Sequence, residues 1–200
     1  MHRAVFVDRD GVICRNRRDH VKSWEEFVFL PGALDALRRL AQLDLYIVII
    51  TNQAIVNRRI VPRATVEDIH RRMVKAIEEG GGHVDQVVFC PHRPDEDCGC
   101  RKPQPGMLLQ AARDLGIDLM SSYLIGDAFS DMEAGRAVGC DCYMVLTGRG
   151  LRQTLRSWTR GRGGFTVKLN LPAAVNAIYR CESSAVERLP GVLEWGNIDQ

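Results

Sequence analysis

Two carboxylates follow a short apolar segment near the start of the chain. Residues 4–7 are apolar, and Asp8, Arg9, Asp10 and Gly11 come directly after them. In an extended strand, side chains two residues apart point to the same side, so Asp8 and Asp10 leave the strand end together. Two carboxylates this close repel each other unless a cation or a shared proton relieves the repulsion. The spacing therefore indicates a metal site, an acid–base pair, or both.

Polar residues follow two other predicted strands in the same way. Thr51 and Asn52 come after the apolar run 45–50, and Asp127 comes after the run 123–126. In parallel sheets, ligands bind at the carboxyl ends of the strands. We therefore expect these side chains to lie beside the first carboxylate pair.

Strand and helix patterns alternate along the chain. Predicted strands cover residues 4–7, 45–50, 84–89, 123–126, 142–146 and 165–169, and predicted helices cover 31–40, 65–79, 106–115, 132–138 and 172–179. Such repeats predict an α/β fold, a Rossmann-like parallel sheet with helices on both faces and no large cap domain. We expect one domain over residues 1–180 and a C-terminal tail over 181–200 in which we identify no chemistry.

Composition and charge are those of an ordinary globular protein. The 200 residues are 46% hydrophobic and 26% charged, with a net charge of +2. No apolar run approaches the roughly 20 residues needed to cross a bilayer. The chain enters the first predicted strand directly, which leaves no room for a signal peptide. We therefore expect a cytoplasmic protein, a monomer, with neither a nucleic-acid nor a membrane partner.

Four metal-ligating side chains are crowded into one short segment. Cys90, His92, Cys98 and Cys100 form the pattern C-x-H-x5-C-x-C. Four soft ligands match a closed tetrahedral zinc site, and with no open position the zinc would be structural. The competing interpretation is four unrelated thiol and imidazole groups. Because the segment leads into Lys102, such a zinc loop would indirectly fix the position of that lysine.

One reaction unites the polar residues at the predicted strand ends. Asp8 would attack phosphorus and form an aspartyl-phosphate. Asp10 would protonate the departing alkoxide and then deprotonate the water that hydrolyses the intermediate. Magnesium held by Asp8 and Asp127 would neutralise the phosphoryl oxygens. Thr51 and Lys102 would add a hydrogen bond and a positive charge to those oxygens.

This set of residues resembles the haloacid-dehalogenase superfamily of phosphatases. Its four motifs correspond to residues 8–11, 51–53, Lys102 and 126–131. The resemblance implies that Mg²⁺ is bound by the side chains of Asp8 and Asp127 and by the backbone carbonyl of Asp10. Asp131 would then be a supporting residue rather than a first ligand.

Within that superfamily the chain is most similar to heptose 1,7-bisphosphate phosphatases and their histidinol-phosphatase relatives. Residues 90–92, 98–107 and 20–32 carry the similarity. It implies a magnesium-dependent phosphomonoesterase that removes the 7-phosphate of D-glycero-D-manno-heptose 1,7-bisphosphate. The chain departs from these enzymes at Val12, at 54–59 and at Ala128, and these departures concern the substrate more than the reaction.

Several residues are candidates for binding the rest of the substrate. The resemblance places Arg101 toward the substrate, and Arg58 and Arg59 add positive charge that favours a second anionic group. Asn52 either contacts the substrate or caps its own loop. Two arginine clusters remain, namely Arg15, Arg17 and Arg18, which would steer an anionic substrate, and Arg149, Arg152, Arg156, Arg160 and Arg162, interpreted as solvated surface in a glycine-rich loop. The histidines His2, His20, His70 and His83 are interpreted as surface or packing residues.

Three other functions compete with the sugar bisphosphatase. Histidinol phosphate carries one phosphate and a cationic end, which the arginines disfavour. A nucleic-acid 3′-phosphatase is disfavoured by the low aromatic content of 6%, because single-strand binders stack bases on aromatic rings. A non-catalytic phosphate-binding regulatory module is the third alternative, and the intact Asp8, Asp10, Lys102 and Asp127 argue against it.

Overall fold

The described part of the chain forms six strands and six α-helices. The computed structural model describes residues 1–158 and 163–186. The strands are β1 (Ala4–Asp8), β2 (Tyr46–Asn52), β3 (Gln86–Cys90), β4 (Tyr123–Gly126), β5 (Asp141–Val145) and β6 (Thr166–Lys168). The helices are α1 (Ala33–Leu40), α2 (Arg63–Glu79), α3 (Gly106–Leu115), α4 (Phe129–Ala137), α5 (Gly150–Trp158) and α6 (Leu171–Val186). Short 3-10 turns occupy Trp24–Glu26 and Leu119–Ser121.

All six strands form one parallel sheet in the order β3-β2-β1-β4-β5-β6. The chain order reverses direction on the two sides of β1, which pairs with β2 through Asp8 and Ile50 and with β4 through Val7 and Ile125. In sheets of this order, ligands bind at the reversal point, outside the carboxyl ends of the strands. The predicted Rossmann-like fold is therefore confirmed, and it places Asp8 at the reversal point.

Two apolar layers cover the sheet because successive side chains of each strand point to opposite faces. On one face Val7 and Ile49 pack in a cluster with Leu37 of α1, together with residues of α2 and α6. On the other face Phe6 packs with Met107 of α3, together with residues of α4. Burial on both faces explains the uninterrupted apolar runs of the strands.

Helices α1 and α4 begin at other residues than predicted, for local physical reasons. Helix α1 begins at Ala33 because Gly32 has a φ of +75°, in the left-handed region. Helix α4 begins three residues before the predicted start, at Phe129. There the Asp131 carboxylate accepts a hydrogen bond from the Ala128 amide at 3.0 Å and satisfies a helix-end donor.

The segment predicted as a glycine-rich loop is partly helical. Helix α5 covers residues that carry the second arginine cluster, and its Gln153 Oε1 accepts a hydrogen bond from the Phe129 amide at 2.7 Å. Arg160 and Arg162 lie outside the described residues, and the side chain of Arg156 is not described. Across residues 1–158 and 163–186, no segment forms a separate cap domain, and none of the described helices is long and apolar enough to span a membrane.

The last helix extends past residue 180, where we predicted the domain to end. Glu182 is buried, and its carboxylate accepts hydrogen bonds from the Arg3 guanidinium at 2.9 and 2.7 Å and from the Tyr123 hydroxyl at 2.7 Å. The first residues assigned to the tail therefore continue α6, which ends at Val186. Residues 187–200 lie outside the described part of the chain.

These contacts predict the effect of removing the Glu182 carboxylate. Glu182→Ala leaves the Tyr123 hydroxyl without its partner in a buried position, which costs about 1–3 kcal/mol of the free energy of unfolding. Urea denaturation measures this loss. Glu79→Ala is the control, because that exposed residue forms only a surface pair with Lys75 at 3.8 Å and should change stability by less than about 0.5 kcal/mol. Equal stability of the two variants would contradict the prediction.

Candidate active site

The predicted strand-end residues converge on one cavity. Asp8 ends β1, Thr51 lies near the end of β2, and Asp127 directly follows β4. Asp8, Asp10 and Thr51 line a cavity of about 800 Å³ together with Lys102. Asp127 is fully buried beside Asp8, so the ends of β1, β2 and β4 meet at one edge of the sheet.

Lys102 is the centre of a buried charge cluster on the floor of this cavity. Its ammonium group lies 2.7 Å from Asp8 Oδ1 and 2.7 Å from Asp131 Oδ1, and it donates to the Ile50 carbonyl at 3.0 Å. Burial opposes the charged ammonium, but the two carboxylates outweigh it and raise the pKa of Lys102. The lysine therefore stays protonated beside the predicted nucleophile.

Asn52 holds the backbone of that lysine. Its side-chain amide donates to the Lys102 carbonyl at 3.0 Å, and its side-chain oxygen accepts from the Lys102 amide at 3.1 Å. Asn52 also lines the cavity. The sequence left open whether Asn52 contacts the substrate or caps its loop. The hydrogen bonds observed are those that fix a loop.

Three buried carboxylates form a potential cation site. Asp8, Asp127 and Asp131 each offer an oxygen, and these oxygens all lie within 4.8 Å of one another. Burial raises the pKa of Asp8 to about 8 despite the nearby Lys102 charge, and burial raises the pKa of Asp127 to about 6. In both cases burial disfavours the ionised carboxylate more than the nearby positive charge favours it. Hard oxygen ligands with unmet charge fit Mg²⁺.

Two glycines bring the backbone close to one of these carboxylates. A Cβ atom added to Gly11 or to Gly148 would lie 2.1 Å from Asp127 Oδ2. Thr147 Oγ1 donates to the Gly11 carbonyl at 2.6 Å and ties the two segments together. The loops after β1 and β5 therefore enclose Asp127 without side chains between them.

Asp10 occupies a separate set of contacts. The Arg9 guanidinium donates to both of its oxygens at 3.0 and 2.9 Å, Gln53 Nε2 donates to Oδ2 at 2.8 Å, and the Thr51 hydroxyl lies 3.4 Å from Oδ2. Burial alone would raise the pKa of Asp10, but the Arg9 charge and these hydrogen bonds lower it. The Asp10 side chain is not part of the three-carboxylate cluster, which leaves its backbone carbonyl for the metal role that the resemblance implies.

Arg149 was missed as a site residue by the sequence interpretation. Its amide donates to Asp127 Oδ2 at 2.7 Å, and its guanidinium lies 3.3 Å from Asp127 Oδ1. The interpretation as solvated surface is therefore wrong for Arg149, although about half of its side chain is exposed. The strand-end rule would have found it, because Arg149 follows the end of β5.

The mouth of the cavity is cationic. The described arginines that line it, in addition to Arg9 on its floor, are Arg17, Arg18, Arg58, Arg101, Arg149 and Arg152, with His20 beside them. Arg58 lies 3.3 Å from His20 Nε2, and Arg101 donates to the His92 carbonyl at 3.0 Å. Arg59 is exposed and is not among the described lining residues, so its predicted substrate contact has no support in this geometry.

The Cys/His segment is folded into a compact ligand set. Cys90 Sγ lies 3.1 Å from Cys100 Sγ and 3.6 Å from Cys98 Sγ, and His92 Nδ1 lies 3.4 Å from Cys90 Sγ and 3.3 Å from Cys100 Sγ. In a tetrahedral zinc site, sulfur ligands at about 2.3 Å from the metal are about 3.8 Å apart. The cluster can therefore hold a metal ion with small adjustments.

A Rossmann-like sheet with a carboxylate–lysine cluster at its reversal point is the arrangement of haloacid-dehalogenase-like hydrolases. A family model described as HAD-hydrolase-like matches residues 99–168. D-glycero-beta-D-manno-heptose-1,7-bisphosphate 7-phosphatase from Pseudomonas aeruginosa is 40% identical over 76% of this chain and 86% of the relative. The enzyme of the same name from Bordetella bronchiseptica is 41% identical over 76% of this chain and 85% of the relative.

A solved structure extends the similarity to the backbone. The crystal structure of D,D-heptose 1,7-bisphosphate phosphatase from B. bronchiseptica, complexed with magnesium and phosphate, matches with a TM-score of 0.84 and 36% identity over 89% of this chain and 98% of that one. The chain therefore belongs to the haloacid-dehalogenase-like hydrolases and, within them, to the family of heptose-bisphosphate phosphatases.

The raised carboxylate pKa values predict how magnesium affinity depends on pH. Protons and Mg²⁺ compete for Asp8 and Asp127, whose pKa values are about 8 and about 6 without metal. The affinity for Mg²⁺ should therefore rise with pH from 6 to about 8. Above that it should level off, because both carboxylates are then already deprotonated and no proton competes with the metal. Isothermal titration calorimetry at pH 6, 7, 8 and 9 measures it.

Proton release on binding provides the matched control. Titrations in two buffers of different ionisation enthalpy should show protons released by the parent chain, and fewer by Asp8→Asn. An affinity that does not change between pH 6 and 8 would contradict the assignment of these carboxylates as ligands.

Proposed function

We propose that this chain is a Mg²⁺-dependent phosphomonoesterase that removes the 7-phosphate of D-glycero-D-manno-heptose 1,7-bisphosphate through an aspartyl-phosphate. One observation carries the proposal. Two carboxylates two residues apart, Asp8 and Asp10, line the same cavity but have separate partners, Lys102 for one and Arg9 for the other. Because their partners differ, the two carboxylates can take different roles, one as the nucleophile and the other as the acid–base group. The names of the relatives described above supply the substrate.

Each reacting group has an assigned task in the first half of the reaction. A carboxylate oxygen of Asp8 forms a bond to phosphorus, and the bond from phosphorus to the sugar oxygen breaks. Asp10 donates a proton to that departing oxygen. Lys102 supplies positive charge beside the nucleophile and the phosphoryl oxygens. Mg²⁺, held by Asp8 and Asp127, would neutralise the phosphoryl charge when bound.

The second half of the reaction restores the nucleophile. Asp10, now ionised, takes a proton from a water molecule that attacks the phosphorus of the aspartyl-phosphate. The bond between phosphorus and the Asp8 oxygen breaks, and inorganic phosphate leaves. Because Gln53 and Arg9 hold the Asp10 carboxylate with three hydrogen bonds of 2.8 to 3.0 Å, the same group can serve both halves from one position.

The charge distribution of the cavity favours a bisphosphate over histidinol phosphate. The described acidic residues that line the cavity, Asp8, Asp10 and Asp131, belong to the charge clusters at its floor, whereas arginines dominate the mouth. A second phosphate would be attracted to Arg58 and Arg101, and the cationic end of histidinol phosphate would be repelled. We propose that these two arginines contact the part of the substrate that is not hydrolysed.

Phosphate release from a panel of esters tests the function. With Mg²⁺, we expect the highest kcat/KM for one anomer of heptose 1,7-bisphosphate. The value should be at least about tenfold lower for fructose 1,6-bisphosphate, histidinol phosphate and a 3′-phosphorylated oligonucleotide, because the loss of one well-placed polar contact costs about 1–3 kcal/mol. Asp8→Asn should abolish release, whereas Asp35→Asn, a change on the exposed side of α1, should not.

Other outcomes of the panel would change specific parts of the proposal. Preference for histidinol phosphate would replace the substrate and keep the mechanism. No release from any ester, combined with a raised melting temperature in the presence of inorganic phosphate, would replace the enzyme with a phosphate-binding module.

The Cys/His cluster is proposed to hold one structural Zn²⁺. The sulfur and nitrogen atoms of Cys90, His92, Cys98 and Cys100 already approach tetrahedral spacing, and their soft character suits zinc rather than magnesium. Three reduced thiols in one loop also fit a reducing compartment, so we propose a cytoplasmic location and, for this capless fold, a monomer.

Replacing one thiol predicts a loss of both metal and activity. Cys98→Ser should lower bound zinc from one equivalent to well below half, because a structural site needs all four ligands. Activity should fall with it, because the loop positions Arg101 and Lys102. Elemental analysis and phosphate release measure the two quantities. The control is Cys181→Ser, an exposed cysteine outside the cluster; full activity in verified zinc-free protein would contradict the proposed role.

A further inference from the structure

A buried arginine lies behind the general acid. Arg9 is 1% exposed, and its guanidinium donates to both oxygens of Asp10. Its Nε has no hydrogen-bond partner among the described residues. A cation removed from water in this way is stable only if its remaining donors are well placed. The contacts of Arg9 therefore determine where the Asp10 carboxylate lies.

The second contact of this guanidinium is a histidine on α2. His70 is buried, and its Nε2 lies 3.0 Å from Arg9 Nη1. Because a guanidinium can only donate, Nε2 must be the acceptor, and the imidazole is neutral with its proton on Nδ1. Burial and the adjacent Arg9 charge lower the pKa of His70 to about 3, in agreement with a neutral ring.

The histidine ring is itself held in place. Phe89 at the end of β3 packs against it edge to face, with ring centroids 5.3 Å apart and an interplanar angle of 69°. The Arg63 guanidinium lies over the Phe89 ring, 4.7 Å from the ring centroid. A chain of contacts therefore runs from Phe89 through His70 and Arg9 to Asp10.

A packing role alone does not explain this histidine. An apolar ring would fill the same space without removing a polar nitrogen from water, which costs free energy unless that nitrogen is hydrogen-bonded. His70 instead offers its acceptor to a guanidinium that has two donors on Asp10 and one unsatisfied Nε. Without His70, the described contacts would leave the guanidinium held only from the side of Asp10.

We propose that His70 is a positioning residue for catalysis, which fixes Arg9 so that Arg9 holds the Asp10 carboxylate where it meets the leaving-group oxygen. This inference rests on the proposed phosphatase function. Proton transfer needs the donor and acceptor oxygens at about 2.6–3.2 Å. A displacement of about 1 Å in such a group can cost about 100-fold in rate.

The test compares two substrates that differ in their need for a proton. The sugar phosphate releases a poor alkoxide leaving group that Asp10 must protonate, whereas p-nitrophenyl phosphate releases a stable phenolate. For both, kcat/KM reports the steps up to phosphoryl transfer to Asp8. We expect His70→Phe to lower kcat/KM for the sugar phosphate about 10- to 100-fold. For p-nitrophenyl phosphate the decrease should be less than about threefold, because phosphoryl transfer from this ester does not depend on the acid.

A conservative variant separates hydrogen bonding from packing. His70→Gln places an acceptor oxygen near the position of Nε2 and should restore kcat/KM for the sugar phosphate to within about threefold of the parent. Equal losses on both substrates, or no loss in His70→Phe, would overturn the proposal. If the Phe variant does not fold, His70→Leu makes the same comparison.

A measurement without catalysis distinguishes this proposal from the proposed function. Nitrogen-15 NMR of the Arg9 guanidinium should show slow rotation in the parent chain and in His70→Gln, and faster rotation in His70→Phe. If the parent chain hydrolyses none of the esters, the proposed function fails, and the NMR comparison still decides whether His70 fixes Arg9. Unchanged Arg9 resonances in His70→Phe would overturn the positioning role.

Discussion

The structure depends on the confinement of carboxylates and one lysine at the end of a parallel sheet. Asp8, Asp127 and Asp131 are nearly inaccessible to water, and Lys102 lies between two of them. Separating one of these charges from its partners would leave it unpaired in a low dielectric, at a cost of several kcal/mol. The strand order brings the carboxylates together, and the loops after β1 and β5 close over them. The surrounding structure therefore keeps this cluster together. It also leaves the cluster with at least one negative charge that the neighbouring cations do not balance.

The Cys/His loop and the charge cluster are connected through two neighbouring strands. Asn52 and Cys90 are paired neighbours on β2 and β3. From Asn52, two hydrogen bonds hold the Lys102 backbone, while Cys90 is the first residue of the ligand set that precedes that lysine. Arg101 adds a bond to the His92 carbonyl. Because the loop has few apolar residues of its own, its ligand set is the natural means of fixing the lysine that the cluster needs.

The sequence predicts the parts of this arrangement that follow from periodicity and strand ends. Asp8, Thr51 and Asp127 could be assigned because each follows an apolar run, whereas Lys102 follows no strand and was singled out by its place directly after the Cys/His segment. His70 lies on a helix distant in sequence from its partner, so no local pattern indicates its contact with Arg9. Helix α5 was missed because glycine and arginine at its start are typical of loops. Arg59 was included for its charge alone, and charge does not determine the direction of a side chain.

The two proposed catalytic carboxylates have pKa values shifted in opposite directions, and in the metal-free site the order is the reverse of what the proposed reaction needs. Burial raises the pKa of Asp8, the proposed nucleophile, which must be ionised, and Arg9 lowers the pKa of Asp10, the proposed acid, which must carry a proton. A divalent cation beside Asp8 would favour its ionised form, and the negative charge of an arriving phosphate would favour protonation of Asp10. The site is therefore arranged so that both carboxylates reach their reactive protonation states together only when metal and substrate are bound. Arg9, held by His70, keeps Asp10 ionised once the leaving group has departed, so that its carboxylate is free to accept a proton from the attacking water. This second task explains why a group that must act as an acid is paired with a buried cation.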